Sequence, residues 1–233
     1  MSNYNSAIYS NENFNDASVD KNNELVDYAL SAMRREECGR IVVPLLWRGD
    51  VAHLLSNNFN LSKNVLFSNF KKLSKIRGHL QMVDQVFKDQ EKEGIIEKIP
   101  DLNQFMKDNP AHSFLSHMAI FRLDRATTKC RVVFLSNLSE AVDKNSKSFS
   151  HNMAMYAGPN LNLKITSALM HQRFGEVLLS YDIRQAFLNL LLGQENSNRL
   201  TFLWFKDITK ENYELVGYRN LRLKLACDAA PHY

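Results

Sequence analysis

Residues 176–192 read Glu176-Val-Leu-Leu-Ser-Tyr-Asp182-Ile-Arg-Gln-Ala-Phe187-Leu-Asn-Leu-Leu-Leu192, and this stretch decides the fold. The run Val177-Leu178-Leu179 is too short to span a membrane and predicts a buried strand. One carboxylate, Asp182, closes that strand, and an aromatic, Phe187, follows five residues later. A carboxylate at the end of a buried strand lies at the rim of a sheet, where ligands bind. Read alone, Asp182 also suits a turn or a helix cap, and Phe187 also suits a core.

Further blocks stand around this stretch in a fixed order. Ile41-Val-Val-Pro-Leu-Leu-Trp47-Arg48 comes first, and a long helical stretch ends in Glu93-Gly-Ile-Ile-Glu-Lys-Ile-Pro100. His117-Met-Ala-Ile120, Thr127-Thr-Lys-Cys-Arg-Val-Val-Phe134 and Tyr156-Ala-Gly-Pro-Asn-Leu161 follow. Phe202-Leu-Trp204 and Tyr218-Arg-Asn-Leu-Arg222 come after the Asp182 motif. The Asp182–Phe187 spacing resembles the first catalytic motif of reverse transcriptases. The ordered blocks resemble the Pol polyprotein of Bel-Pao long-terminal-repeat retrotransposons, from the linker after the protease into the reverse transcriptase. The resemblance spans residues 25–233 and is most specific from 117 to 204.

That resemblance implies an α+β fold: the fingers and partial palm of a right-hand polymerase, preceded by a helical connector and a disordered N-terminus. The implied organisation is a disordered tail over 1–23, a helical connector and start of the fingers over 24–100, and fingers with a truncated palm over 101–233. It implies RNA-directed DNA polymerisation, with Asp182 as catalytic residue and magnesium ligand. Phe187 then gates the sugar and Ile183 lines the nucleotide pocket beside it. The implied partners are an RNA template, a DNA primer, a deoxynucleoside triphosphate and the remainder of the Pol polyprotein. The implied location is a cytoplasmic virus-like particle, with the nucleus as the alternative. No aromatic-x-Asp-Asp motif occurs in the 233 residues. Two-metal phosphoryl transfer needs carboxylates gathered around ions about 4 Å apart. The expectation is therefore a polymerase fragment that is inactive alone. The alternative is a catalytically dead remnant that acts at most as a nucleic-acid-binding or interaction module.

Two further features bear on nucleic-acid contact. The apolar runs Met118–Leu123 and Cys130–Leu135 flank a polar turn and predict a β-hairpin. Alternate strand residues share a face, so Lys129 and Arg131 project the same way and suit a triphosphate. In the resembled family the fingers hairpin carries an arginine at the position of Arg131. Residues 61–93 predict one long helix or two consecutive ones, with Gly94 as the stop. Lys71, Lys72 and Lys75 fall off its apolar stripe, where they serve either phosphate contact or a solvated helix face.

Composition adds bounds. The chain has 29 basic and 25 acidic residues, a net charge of +4, which permits nucleic-acid binding without arguing for it. The cysteines Cys38, Cys130 and Cys227 are far apart and odd in number, so no disulfide framework or zinc spacing is expected. His112 and His117 are expected to be structural. The polar amino terminus predicts no signal peptide and no secretion, and no run is long and apolar enough for a membrane span.

Residues 161–174 predict a helix with Leu161, Ile165, Leu169 and Phe174 on one apolar face, capped by Asn160. Phe202–Phe205 and Tyr218–Leu225 predict two strands around a polar link. Three departures from the family pattern stand out. Leu135-Ser136-Asn137 replaces Asp-Ala-Ser, Lys224-Leu225-Ala226 replaces Pro-Phe-Gly, and Ala230-Pro231 replaces Ser-Pro. Alanine at a glycine position restricts the backbone, which weakens the case for an active parent enzyme.

Overall fold

Two amphipathic helices and a short antiparallel sheet bury the same set of rings, and this packing organises the chain. The computed structural model describes residues 16–49, 55–124, 129–139, 148–156, 165–177, 179 and 181–224. The predicted helical stretch is two helices, α2 (Phe59–Ser74) and α3 (His79–Lys92). They part at Gly78, whose φ of +85° is a left-handed conformation that glycine adopts without a Cβ penalty. Leu66 and Phe70 of α2, and Leu80, Val83 and Phe87 of α3, face inward.

Gly94, at φ +61°, ends α3 as expected, and β3 (Ile96–Lys98) follows. It joins a sheet of order β3-β8-β7, with β7 (Thr201–Phe205) and β8 (Leu215–Asn220) pairing antiparallel. All of β7 is buried, which is why its sequence Thr-Phe-Leu-Trp-Phe shows no alternation. β8 starts before the expected Tyr218, because Leu215 pairs with Phe205.

The expected hairpin is present as β4 (His117–Phe121) and β5 (Cys130–Phe134), with Ile120 opposite Arg131. Its inner face joins the core, where Phe87, His117, Phe134, Phe202 and Trp204 stack around one another. A short α4 (Leu102–Asp108) is capped by the Asp101 carboxylate, which accepts from the Gln104 N–H at 3.0 Å.

The amino-terminal elements differ from the expectation in two ways. α1 (Asp16–Ala32) starts ahead of the expected boundary at residue 24. After β1 (Arg34–Arg35), β2 (Ile41–Val43) pairs in parallel with β6 (Leu190–Leu192). The stretch expected to be a connector thus supplies a strand to the half of the chain that carries Asp182.

The reading of 161–179 needs correction. α5 (Ile165–Gln172) forms, but Leu169 and Phe174 are exposed, so the expected apolar face is not buried. Neither Val177 nor Leu179 lies in a strand, and they are 76% and 79% exposed. The physical reason is a missing partner: no neighbouring strand among the described residues offers this segment a ladder. The expected cap Asn160, together with Leu161, Leu178, Leu225, Ala226, Cys227, Ala230 and Pro231, lies outside the described residues. α6 (Gln194–Arg199) completes the elements.

Candidate nucleic-acid and nucleotide interface

The hairpin alternates as its sequence requires. Cys130 is buried, whereas Lys129 and Arg131 on either side of it are exposed. Burial pushes the Cys130 thiol up to about 11, so it stays protonated and packs as a small apolar group. Met118 and Ile120 share the outer face with Arg131 and are partly exposed. Neither Lys129 nor Arg131 makes an ion pair among the described residues.

The second set of cations comes from α2. Lys71, Lys72 and Lys75 are exposed at its carboxyl-terminal end, and Arg77 follows in the turn before α3. Cations there also complement the helix dipole. The His79 ring stacks on Phe121, with centroids 3.9 Å apart and planes at 15°. Phe121 pairs with Cys130, and the Arg122 N–H donates to the Lys129 carbonyl at 2.9 Å. This stack ties the α2–α3 turn to the end of the hairpin that bears Lys129 and Arg131. Asn69 anchors the other end by donating to the His117 carbonyl at 2.8 Å. Sequence reading singled out both sets of cations and missed the contact that joins the elements bearing them. The contact spans Phe121 and His79, which no local pattern links.

Asp182 belongs to the segment between α5 and β6. It is exposed, and it precedes a 3-10 turn over Ala186–Asn189. Gln185 opens that turn in a left-handed conformation, φ +52°. The Asn189 side chain bridges the Arg184 and Gln185 carbonyls. Ile183 and Phe187 are also exposed, Phe187 at 45%. Arg222 donates to the Leu188 carbonyl at 3.4 Å and to the Glu93 carbonyl at 2.7 Å, pinning the turn to the end of α3. No hydrogen bond or ion pair joins Asp182 to Lys129 or Arg131 among the described residues.

The resemblance implies magnesium at Asp182. Among the described residues no three His, Cys, Asp or Glu side chains come together to hold a metal ion. Asp182 alone in water supplies at most two oxygens to an ion that requires six ligands. These residues do not make up a magnesium site by themselves.

Two residues escaped the sequence reading. One is Lys224, which lies just after β8. Its ammonium donates to Gln90 Oε1 at 2.6 Å and sits 5.0 Å from the Phe134 ring centroid and 5.5 Å from that of Phe202. It thereby joins α3, the hairpin and β7. Arg222, in the Tyr218–Arg222 block, holds the 3-10 turn as described above. Both contacts are long-range, and nothing in the local sequence signals them. His112 and His117 are structural, as expected: His112 bonds Thr201 and His117 Nε2 bonds the Leu203 carbonyl at 3.0 Å.

No protein-family model matches the chain, and no curated protein matches it. No helix among the described residues is long and apolar enough to cross a membrane.

Proposed function

We propose that this chain derives from the amino-terminal part of a Bel-Pao-type reverse transcriptase and that its own capacity is to grip nucleic acid and triphosphate. It does not transfer nucleotides by itself. The observation that carries this reading is the His79–Phe121 stack. It joins the α2–α3 turn, which carries Lys75 and Arg77, to the hairpin end that carries Lys129 and Arg131, and we infer that these cations act as one cluster. Such a cluster neutralises phosphates without reading sequence. Arg131 offers a planar fork for bidentate phosphate contact, and Lys129 a point charge beside it. The absence of an aromatic-x-Asp-Asp motif from the 233 residues supports the non-catalytic part of the reading.

Binding of this kind is weak, sequence-independent and salt-sensitive. Fluorescence anisotropy with a short RNA–DNA duplex tests it. With three to five phosphate contacts, affinity falls roughly tenfold to a thousandfold between 50 and 200 mM salt. Reversing the charge at Lys71, Lys72 and Lys75 should flatten the log-log salt slope by about one per lost contact. An unchanged slope would make those lysines an ordinary solvated helix face.

A further inference from the structure

Ser74 is the last residue of α2 and is exposed. Lys71 and Lys72 precede it, Lys75 and Arg77 follow it, and no acidic residue lies within three positions. None of these four cations makes an ion pair among the described residues. The Ser74 hydroxyl donates to the Phe70 carbonyl at 2.9 Å, and no donor meets its oxygen, so the lone pairs are open to attack a ligand. Thr209, between Lys206 and Lys210, differs: Asp207 and Glu211 stand beside it, and its hydroxyl is bound to the Asp207 carboxylate at 2.6 Å. The backbone around Ser74 can open. α2 ends there, Lys75, Ile76 and Arg77 of the following turn are exposed, and helix ends fray first.

We propose that Ser74 is a phosphoacceptor for a protein kinase that selects basic flanks, and that its phosphate closes the α2 cation patch to nucleic acid. Ser74 Oγ attacks the γ-phosphorus of ATP. The Oγ–P bond forms, the bond from that phosphorus to the β,γ-bridging oxygen breaks, the hydroxyl proton passes to the base of the kinase, and ADP leaves. An acidic substrate groove takes the cations on both sides of the serine, charge against charge. The product carries about −1.5 to −2 charges at pH 7 and three strong acceptor oxygens. It stands on the helix face of Lys71, three residues back, and beside Lys75 along the chain. The four positive charges thereby fall to about two. A helix carboxyl terminus disfavours an anion, so these cations, and not the backbone, hold the phosphate. Closure of the patch rests on the nucleic-acid reading above; acceptance of the phosphate does not.

The test treats the full chain with magnesium ATP and a basophilic serine/threonine kinase. Intact mass should rise by one phosphoryl group, which fragmentation places on Ser74. Ser74→Ala should abolish that gain, and Lys71→Glu with Lys72→Glu should slow it at least about tenfold. The modified chain should bind a short RNA–DNA duplex about tenfold to a hundredfold more weakly than the unmodified chain at about 100 mM salt, with the log-log salt slope flattened by about one to two. Ser74→Ala should bind as the wild type does. A chain that stays unmodified at Ser74 overturns the acceptor site. Wild-type binding by the modified chain overturns closure, and so does loss of helical circular dichroism on modification, which would mark unfolding of α2 in place of charge neutralisation. Absence of duplex binding by the unmodified chain would sink the nucleic-acid reading and closure with it, while the mass readout still decides the acceptor site.

Discussion

The indole Nε1 of Trp204 donates to Oδ1 of Asp84 at 3.0 Å, across the interface between β7 and α3. The other carboxylate oxygen of Asp84 holds the Lys88 ammonium at 2.7 Å. One buried carboxylate thus satisfies the largest core side chain and reaches solvent through a lysine, which is itself raised in pKa chiefly by its hydrogen bond to Asp84.

Asp84→Ala leaves the Trp204 N–H unsatisfied in the core and is expected to cost about 2–4 kcal/mol in urea unfolding. Asp84→Asn keeps an acceptor for the indole and loses only the pair with Lys88, an exposed lysine, so it should cost about 1 kcal/mol. Equal losses for the two variants would show that the indole bond contributes nothing.

Stability should fall in mild acid. Burial is the largest cause that depresses His112, His117 and His151 from 6.5 to about 4. Between pH 6.5 and 4 the unfolded chain binds protons that the native chain refuses, so stability present above pH 6.5 is lost as pH falls toward 4. The loss should reach about 2 kcal/mol per histidine by pH 5 and level off below pH 4. Urea midpoints at pH 7 and pH 5 measure it, and coincident midpoints would contradict it.

A Cβ at Gly217 meets Ile99 Cδ1 at 2.9 Å and Leu102 Cδ1 at 3.0 Å. Gly217→Ala should therefore destabilise by about 1–3 kcal/mol through overpacking. Pairing it with Ile99→Val should recover part of that loss, and a simple sum of the two single effects would argue against the clash.

The purified chain is expected to show no primer extension on a homopolymer template with magnesium. Template-dependent extension that Asp182→Asn abolishes would overturn the non-catalytic reading.

The periods in the sequence determined α2, α3, the hairpin and the fully buried β7, because each buries a face or run that local spacing displays. They also put Lys129 and Arg131 on one face, since strand alternation is fixed by covalent geometry. Three features lay beyond that reach. The apolar run at Val177 spells a strand, yet a strand exists only where another backbone completes its hydrogen bonds, and none among the described residues does. The pairing of β2 with β6 joins positions about 150 residues apart in register, which no local pattern encodes. The His79–Phe121 stack, which joins the elements that carry the two sets of cations, exists only because α3 and the hairpin pack on the same core. Local spacing decides which surface a segment needs to bury; the folded chain alone decides what buries it.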